Sequence, residues 1–208
     1  LQYHVLYRKY NGQDSEISAL LGKCGLRSFD HKRGIVAPTL TFISHDAFAA
    51  DVRALAAALT ATPDWQPSLL IGMGRGGLVP AVYLSHAADL PMISCDLSSH
   101  ATAFADATLA RLAERTRDGT RLLFVDDIND SGRTIGLLRR RLSDFDAAPG
   151  SVRFATLLDN EVSAERVEYC ARTIDRRVVK DWFVFPWEAL ASKEAIAEDA
   201  AEVPERIQ

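Results

Sequence analysis

Short apolar runs of strand length alternate with stretches of helical periodicity along most of this 208-residue chain. Each run is bounded by polar or turn-forming residues, as buried strands usually are. Strands and helices that alternate in this way predict an α/β fold, in which a mainly parallel twisted sheet is flanked by helices. The predicted strands are residues 68–71, 91–95, 121–125, 151–158 and 168–174.

The stretches between these strands predict helices. Ser44 and Asp46 are typical helix-start residues, and apolar residues then recur at helical spacing to about Thr60. A second helix is expected at residues 78–89, with Pro80 in its first turn, and a third at about 132–145. Residues 97–119 are polar and rich in alanine. We expect a loop there, able to close over a bound ligand, and then a helix.

Charge divides the chain near Pro38. Residues 1–39 contain six Lys and Arg against three Asp and Glu and so carry +3, whereas the remaining residues carry −7, which gives the overall −4. We expect residues 1–39 to be an N-terminal extension. It is either packed on the main body, a flexible basic arm, or a segment foreign to the natural domain. The main domain is expected at 40–190, followed by a C-terminal helix or tail at 191–208.

Composition excludes several classes of protein. No apolar run approaches the roughly 20 residues that a membrane-spanning helix requires. The mild net acidity argues against a protein that coats nucleic acid. Cys24, Cys95 and Cys170 are odd in number and far apart, which favours idle thiols in a reducing compartment over a disulfide framework or a zinc site. The sequence therefore predicts a soluble, cytoplasmic protein that does not bind nucleic acid.

A glycine-rich segment, residues 72–77, follows the first predicted strand of the sheet. Glycines at this place let backbone N–H groups approach an anion, and Arg75 adds a fork of donors that suits phosphate. Gly72, Gly74 and Gly77 also fit the dinucleotide-binding fingerprint, with Asp96 near the expected position of a ribose-binding acid. A nicotinamide-dependent oxidoreductase is therefore one alternative.

An acidic segment follows the third predicted strand. Asp126, Asp127 and Asp130 lie within five residues, and their mutual repulsion requires cations or hydroxyl donors to offset it. Ser131, Gly132 and Thr134 then supply small and hydroxyl residues at a helix start, where anions bind. A calcium loop is excluded, because Leu138 stands where that loop needs glutamate. An acidic segment beside an anion cradle suits a phosphorylated sugar with a Mg²⁺ ion.

These two segments resemble those of the type I phosphoribosyltransferases, in particular the bacterial xanthine-guanine (6-oxopurine) group. Residues 125–134 are similar to the family's phosphoribosyl-diphosphate (PRPP) signature, and residues 75–80 to its pyrophosphate loop. Ser98 and Ser99 also resemble that group, and residues 181–188 resemble its purine-binding hood, expected here within 160–190. The resemblance covers roughly residues 40–190, with the segments in the family's order and at similar spacing.

The resemblance implies an enzyme of purine salvage that transfers the 5-phosphoribosyl group from PRPP to guanine, xanthine or hypoxanthine and releases pyrophosphate. It implies Mg²⁺ as cofactor, PRPP and a purine base as partners, and a homo-oligomer, dimer or tetramer. Asp126 and Asp127 would hold the ribose hydroxyls, directly or through the metal. Asp130 would be the general acid/base near the purine. The 5′-phosphate would lie against Asp130, Ser131, Gly132, Arg133 and Thr134.

The remaining implied contacts concern the leaving group and the base. Gly74, Arg75 and Gly76 would bind pyrophosphate, Trp182 would stack on the purine, and the backbone around Phe183 would read the purine's edge. The family has a base-binding lysine after the fourth strand, and Asn160 stands there instead. A basic residue of the family's mobile loop is replaced by Ala107, and Gly74 replaces a commoner Ser or Thr. A regulator that binds PRPP or a nucleotide without catalysis is therefore a second alternative.

Overall fold

The computed structural model describes residues 39–96 and 102–201. The predicted extension at 1–39 therefore lies outside the described residues except for Thr39, and so do Ser98 and Ser99. In chain order the elements are β1 (Leu40–Phe42), α1 (His45–Thr60), β2 (Leu69–Met73), α2 (Gly74–Ala88), β3 (Met92–Cys95), α3 (Thr102–Arg117), β4 (Leu122–Asn129), α4 (Arg133–Asp144), β5 (Val152–Asn160), β6 (Tyr169–Ile174), β7 (Trp182–Val184) and α5 (Lys193–Ala201).

Five strands form one sheet in the order β3-β2-β4-β5-β6, and every neighbouring pair is parallel. The prediction of a mainly parallel sheet is confirmed. Its order places β2 and β4 side by side at the centre, with Gly72 opposite Val125. The carboxyl ends of these two strands therefore meet at one edge, where ligands bind in open α/β sheets.

Apolar side chains of the strands alternate between the two faces of the sheet. Leu70, Leu123 and Val125 belong to a core that includes the buried face of α1. Ile71 and Phe124, one residue out of step, pack into a second core with leucines of α3 and α4. This two-residue period is that of a strand buried on both sides, and it explains why the runs read as continuously apolar.

The predicted helix at 44–60 is confirmed as α1. The Ser44 hydroxyl accepts a hydrogen bond from Ala47 N at 3.1 Å and so caps the helix N-terminus. Much of the polar stretch 97–119 is the helix α3, in which Ala105, Leu109 and Leu112 are buried. The part of the predicted loop that precedes α3, residues 97–101, lies outside the described residues, and its closure over a ligand stays a prediction.

Two short elements were not predicted from the sequence. β1 and β7 form a separate parallel pair, in which Leu40 lies opposite Trp182 and Phe42 opposite Val184. The described part of the predicted tail forms α5, and its Ile196 and Ala200 side chains are buried. The domain boundaries stay a prediction. Among the residues described, no helix has the length and apolar character needed to cross a membrane.

Candidate functional site

The glycine-rich segment is shorter as a loop than the sequence predicts. β2 continues through Met73, and α2 begins at Gly74 rather than at Leu78. Gly74 has a φ of +54°, a conformation that glycine adopts without strain and that turns the strand directly into the helix. Pro80, expected in the first turn of the helix, consequently lies inside α2. Gly74, Arg75 and Gly76 thus form the helix N-terminus, whose backbone N–H groups lack partners within the helix.

This N-terminus packs directly against the end of β4. A β-carbon at Gly76 would lie 2.5 Å from Oδ2 of Asp127, and one at Gly77 would lie 2.1 Å from the backbone oxygen of Val125. At Gly77 the neighbour is backbone, so only glycine fits there, whereas a β-carbon at Gly76 would require the Asp127 carboxylate to shift. The glycine-rich and acidic segments, about 50 residues apart in sequence, form one structural unit where the neighbouring strands β2 and β4 end.

The acidic segment is strand rather than loop where it begins. The sequence predicts that the strand ends at Val125, but β4 extends to Asn129. The Asp126 carboxylate accepts a hydrogen bond from Asp127 N at 3.0 Å. Burial raises the pKa of Asp126 well above its ordinary value, the negative charge of Asp127 raises it further, and the bond from Asp127 N opposes both. Cationic groups or hydroxyl donors brought by a ligand would stabilise the ionised pair.

The phosphate-binding candidates lie where β4 passes into α4. Gly132 has a φ of +82° and precedes the helix without capping it through a side chain. The N-terminus of a helix is a favourable place for an anion. The Ser131, Arg133 and Thr134 side chains are exposed. A β-carbon at Gly132 would lie 2.6 Å from Glu165 N, so the connection between β5 and β6 supports this turn from behind.

That support is a buried polar network. Asn129 Nδ2 donates to Asp159 Oδ1 and to the Glu165 backbone oxygen, both at 2.7 Å. The Asn129 amide oxygen accepts from the Ser163 hydroxyl at 3.1 Å, and Arg139 donates to the Glu165 carboxylate at 2.6 Å. Burial raises the pKa of Asp159, and the bond from Asn129 opposes that rise. Through Ser163 and Glu165, which lie against Gly132, the network supports the 131–134 turn.

Asp130 is held by Asn160, the last residue of β5, and by Arg176, which follows β6. Its carboxylate Oδ1 accepts a hydrogen bond from Arg176 Nε at 3.0 Å, and its backbone oxygen accepts one from Asn160 Nδ2 at 2.9 Å. Asn160 also accepts, through its amide oxygen, from Val162 N at 3.3 Å and Arg176 N at 3.1 Å. In the structure, the Asn160 amide is hydrogen-bonded to backbone groups of Asp130, Val162 and Arg176. The contact of Asn160 with the base stays a prediction.

Trp182 and Phe183 lie on β7, at the short strand pair. Trp182 N donates to the Thr39 backbone oxygen at 2.8 Å, and Thr41 Oγ1 donates to Asp181 Oδ2 at 2.6 Å. The Phe183 ring lies beneath the guanidinium of Arg176, whose central carbon is 5.1 Å from the ring centroid. The predicted hood is therefore tied to the first described residues of the chain and to Asp130's partner.

A cavity of about 420 Å³ joins the hood to the glycine-rich segment. It unites four of the predicted site residues, Arg75, Gly76, Asp127 and Trp182. The other lining residues come from the hood and from α5, and the sequence reasoning assigned none of them to the site: Trp187, Glu188, Ala191, Ile196 and Asp199.

Comparison with known proteins identifies the family. A family model described as a phosphoribosyl transferase domain matches residues 41–192, which is most of the chain. The chain belongs to the phosphoribosyltransferase family. It is 30% identical over 160 residues to a xanthine-guanine phosphoribosyltransferase of Roseobacter denitrificans, a match that covers 70% of this chain and 84% of that protein. A protein of the same name from Idiomarina loihiensis is 29% identical over 122 residues, with 57% and 70% of the two chains covered.

Solved structures agree in fold. A purine phosphoribosyltransferase from Pyrococcus horikoshii superposes with a TM-score of 0.52 at 22% identity, over 74% of this chain and 97% of that one. A protein from Neisseria gonorrhoeae, solved with bound ppGpp, has a TM-score of 0.58 at 19% identity, over 80% and 98%. The phosphoribosyltransferase fold predicted from the resemblance is confirmed, and family membership replaces the dinucleotide-binding alternative.

Glu188 is the most informative residue of this phosphoribosyltransferase that the sequence reasoning missed at the site. Its carboxylate accepts a hydrogen bond from Phe185 N at 2.9 Å while it lines the cavity. Burial raises the pKa of Glu188 most strongly, the bond from Phe185 N opposes this rise, the charge of Asp199 adds to it, and Arg75 lowers it. Its place in the hood-like segment 181–188 was the available signal, but only folding carries it to Arg75.

Trp187 is both a packing residue and part of the cavity wall. It stacks on Phe185 with ring centroids 4.9 Å apart and planes inclined by 9°, and meets the edge of Phe48 at 5.3 Å. Trp187 is not among the base-binding residues that the resemblance implies. Through Phe48, the hood of the phosphoribosyltransferase is anchored on the helix α1.

Proposed function

We propose that the protein transfers the 5-phosphoribosyl group from PRPP to a purine base, guanine, xanthine or hypoxanthine, and releases pyrophosphate. The observation that carries this proposal is the cavity in which Arg75 and Asp127 lie with Trp182. An anion-binding helix N-terminus, a sugar-binding carboxylate and an aromatic platform are the three components that such a pair of substrates requires. Purine salvage is the role that this reaction serves.

The two helix N-termini have separate tasks in this proposal. The start of α4, with residues 130–134, binds the 5′-phosphate. The start of α2, with Gly74, Arg75 and Gly76, binds the pyrophosphate that leaves. Both assignments are supported by the favourable N-terminal end of the helix dipole. The contact between Gly76 and Asp127 supports a fixed spacing between the leaving group and the ribose.

Asp126 and Asp127 hold the ribose hydroxyls, directly or through Mg²⁺. Carboxylate oxygens are ligands that Mg²⁺ prefers, and this ion is usually bound by one or two carboxylates together with substrate phosphates and water. The donor set fits that use, since Asp126 and Asp127 are two adjacent carboxylates near the end of β4. Mg²⁺, when bound, neutralises charge on the diphosphate of PRPP.

Catalysis in this proposal is positional and electrostatic. Positive charge grows on the ribose, where the carboxylates of Asp126 and Asp127 stabilise it. Negative charge grows on the departing pyrophosphate, where the guanidinium of Arg75 stabilises it. Asp130 exchanges a proton with a ring nitrogen of the base as general acid/base. Trp182 stacks on the purine, and the backbone at Phe183 reads the purine's edge.

Turnover with defined bases tests the proposal. The full chain is incubated with PRPP, Mg²⁺ and each of guanine, xanthine and hypoxanthine, and pyrophosphate release is followed. We expect release with at least one base. Asp130→Asn should lower kcat about 100-fold, a typical contribution of a general acid/base, while PRPP affinity changes less than about twofold. Asp64→Asn, an exposed turn residue, is the matched control.

Two other outcomes are informative. PRPP binding in a calorimeter, without turnover on any base, would favour the regulator that binds and does not catalyse. An unchanged rate in Asp130→Asn would refute the role of Asp130 but leave the transfer reaction intact. The predicted homo-oligomer, dimer or tetramer, is tested by sedimentation of the purified protein, and a monomer would contradict it. The cytoplasmic location stays a prediction.

A further inference from the structure

Arg176 is a buried cation on the connection between β6 and β7. Only 7% of its surface is exposed, and its guanidinium contacts three different parts of the site. Nε donates to the Asp130 carboxylate at 3.0 Å. Nη1 donates to the backbone oxygens of Asp181 at 2.6 Å and Val179 at 3.3 Å, and the guanidinium lies over the Phe183 ring. One side chain therefore joins Asp130 to the hood.

The backbone of Arg176 is fixed as firmly as its side chain. Its N–H donates to the amide oxygen of Asn160 at 3.1 Å, and the amide nitrogen of Asn160 donates to the backbone oxygen of Asp130 at 2.9 Å. Asp130 and Arg176 are thus linked twice, through their side chains and through Asn160. Because both the side chain and the backbone oxygen of Asp130 are hydrogen-bonded, its carboxylate has little freedom to rotate.

The chemistry of the guanidinium suits this task and that of an amine does not. Arginine presents donors in several directions within one rigid plane and lies flat on aromatic rings, whereas lysine carries one compact charge. Asp130 is itself mostly buried, with 15% of its side chain exposed. A buried carboxylate that loses its cationic partner becomes an uncompensated charge, so the two residues depend on each other.

We propose that Arg176 is a positioning residue that sets the Asp130 carboxylate at a fixed place relative to the base-binding edge of the hood. The inference rests on the proposed function, in which Asp130 handles the proton of the base and Phe183 contacts its edge. Proton transfer requires donor and acceptor within hydrogen-bond reach, and a misplacement of about 1 Å is costly. Arg176 acts through Asp130 and the hood and does not itself touch the reacting atoms.

A double-mutant cycle in turnover tests this role. The four proteins are the wild type, Arg176→Met, Asp130→Asn and the double variant. We expect Arg176→Met to lower kcat about 10-fold and to raise the KM for the base, with the KM for PRPP changed less than about twofold. In the Asp130→Asn background the same substitution should lower kcat less than about twofold, because residues that act as a unit are not additive.

The control is Arg177→Met, since Arg177 is exposed and its side chain pairs with Asp175 at 2.8 Å. Calorimetric PRPP binding counts the folded sites, so kcat is expressed per competent site. If Arg176→Met does not fold, Arg176→Lys is used: it keeps the charge near Asp130 but loses the fork, and the KM for the base should rise. Additive losses, or a rise in the KM for PRPP alone, would overturn the role of Arg176. If the wild type binds PRPP in the calorimeter but turns over no base, the proposed function itself would be overturned.

Discussion

The carboxylate of Asp127 lies against the α-carbon of Gly76, where α2 begins beside the end of β4. A β-carbon at residue 76 would lie 2.5 Å from Oδ2 of Asp127, the end of a side chain that can move. A β-carbon at Gly77 would lie 2.1 Å from the backbone oxygen of Val125, which belongs to the central sheet and cannot move without disrupting the sheet. Gly76 is therefore needed for the position of the Asp127 carboxylate, and Gly77 for the packing of α2 against β4.

Substitution of Gly76 should weaken PRPP binding, whereas substitution of Gly77 should lower stability. Gly76→Ala displaces the Asp127 carboxylate, so we expect PRPP affinity to fall about 10-fold with a small change in Tm. Gly77→Ala forces the helix away from β4 and should lower the free energy of unfolding by about 1–3 kcal/mol, the usual cost of overpacking. Calorimetric titration with PRPP and urea unfolding measure the two effects. Equal losses of stability in both variants would contradict the distinction.

Shortening the chain at its N-terminus should locate the start of the functional domain. A protein that begins at Thr39 keeps the backbone oxygen that accepts from Trp182 N and the Thr41 hydroxyl that donates to Asp181. We expect it to bind PRPP and turn over as the full chain does. A protein that begins at Ile43 lacks β1, so β7 loses its strand partner and the KM for the base should rise. Loss of folding in the longer protein would refute the boundary near residue 39.

Asp126→Asn should exchange activity for stability. Burial and the charge of Asp127 raise the pKa of Asp126 in the folded state. The folded protein then holds a proton that the unfolded chain releases, so stability falls as pH rises above the ordinary carboxylate range. Asparagine removes that cost at neutral pH. We expect a gain in the free energy of unfolding at neutral pH, together with weaker PRPP binding.

The gain from Asp126→Asn should disappear as the pH is lowered, because the wild-type carboxyl then becomes protonated and neutral. Urea unfolding at several pH values measures this trend. Asp175→Asn is the control: Arg177 lowers the pKa of that exposed carboxyl, so its removal should bring no gain at neutral pH. A gain in Asp126→Asn that did not depend on pH would point to packing rather than to charge.

Asn160→Lys should not create a better enzyme, although the family has lysine at this place. The Asn160 amide donates to the Asp130 backbone oxygen and accepts from two N–H groups. A lysine ammonium group can donate but cannot accept, so the N–H groups of Val162 and Arg176 lose their partner. We expect a loss of about 1–3 kcal/mol in unfolding free energy and a lower kcat on every base. Steady-state kinetics and urea unfolding decide, and a higher kcat on any 6-oxopurine would contradict the prediction.

Local pattern was sufficient to predict most of the sheet. Buried strands and amphipathic helices follow from short-range periodicity, and α1 even begins at the expected cap, Ser44. The boundaries at the site were wrong in both loops. α2 begins at Gly74 because the left-handed φ of that glycine turns the chain at once, and β4 runs through Asp126 and Asp127 because β5 continues to pair with it as far as Asn129. Strand length depends on a neighbour that a local pattern does not contain.

The sequence by itself determined the α/β class, the family, and the two segments that bear the chemistry. Each of these signals consists of residues that are close together in the chain. Only the tertiary structure placed Arg176 on Asp130, Glu188 near Arg75 and β1 beside Trp182. Each of these relations joins segments more than 40 residues apart. Such contacts depend on the order of the strands and on burial. Ordering distant residues costs conformational entropy, and burial offsets that cost only when the whole domain has folded.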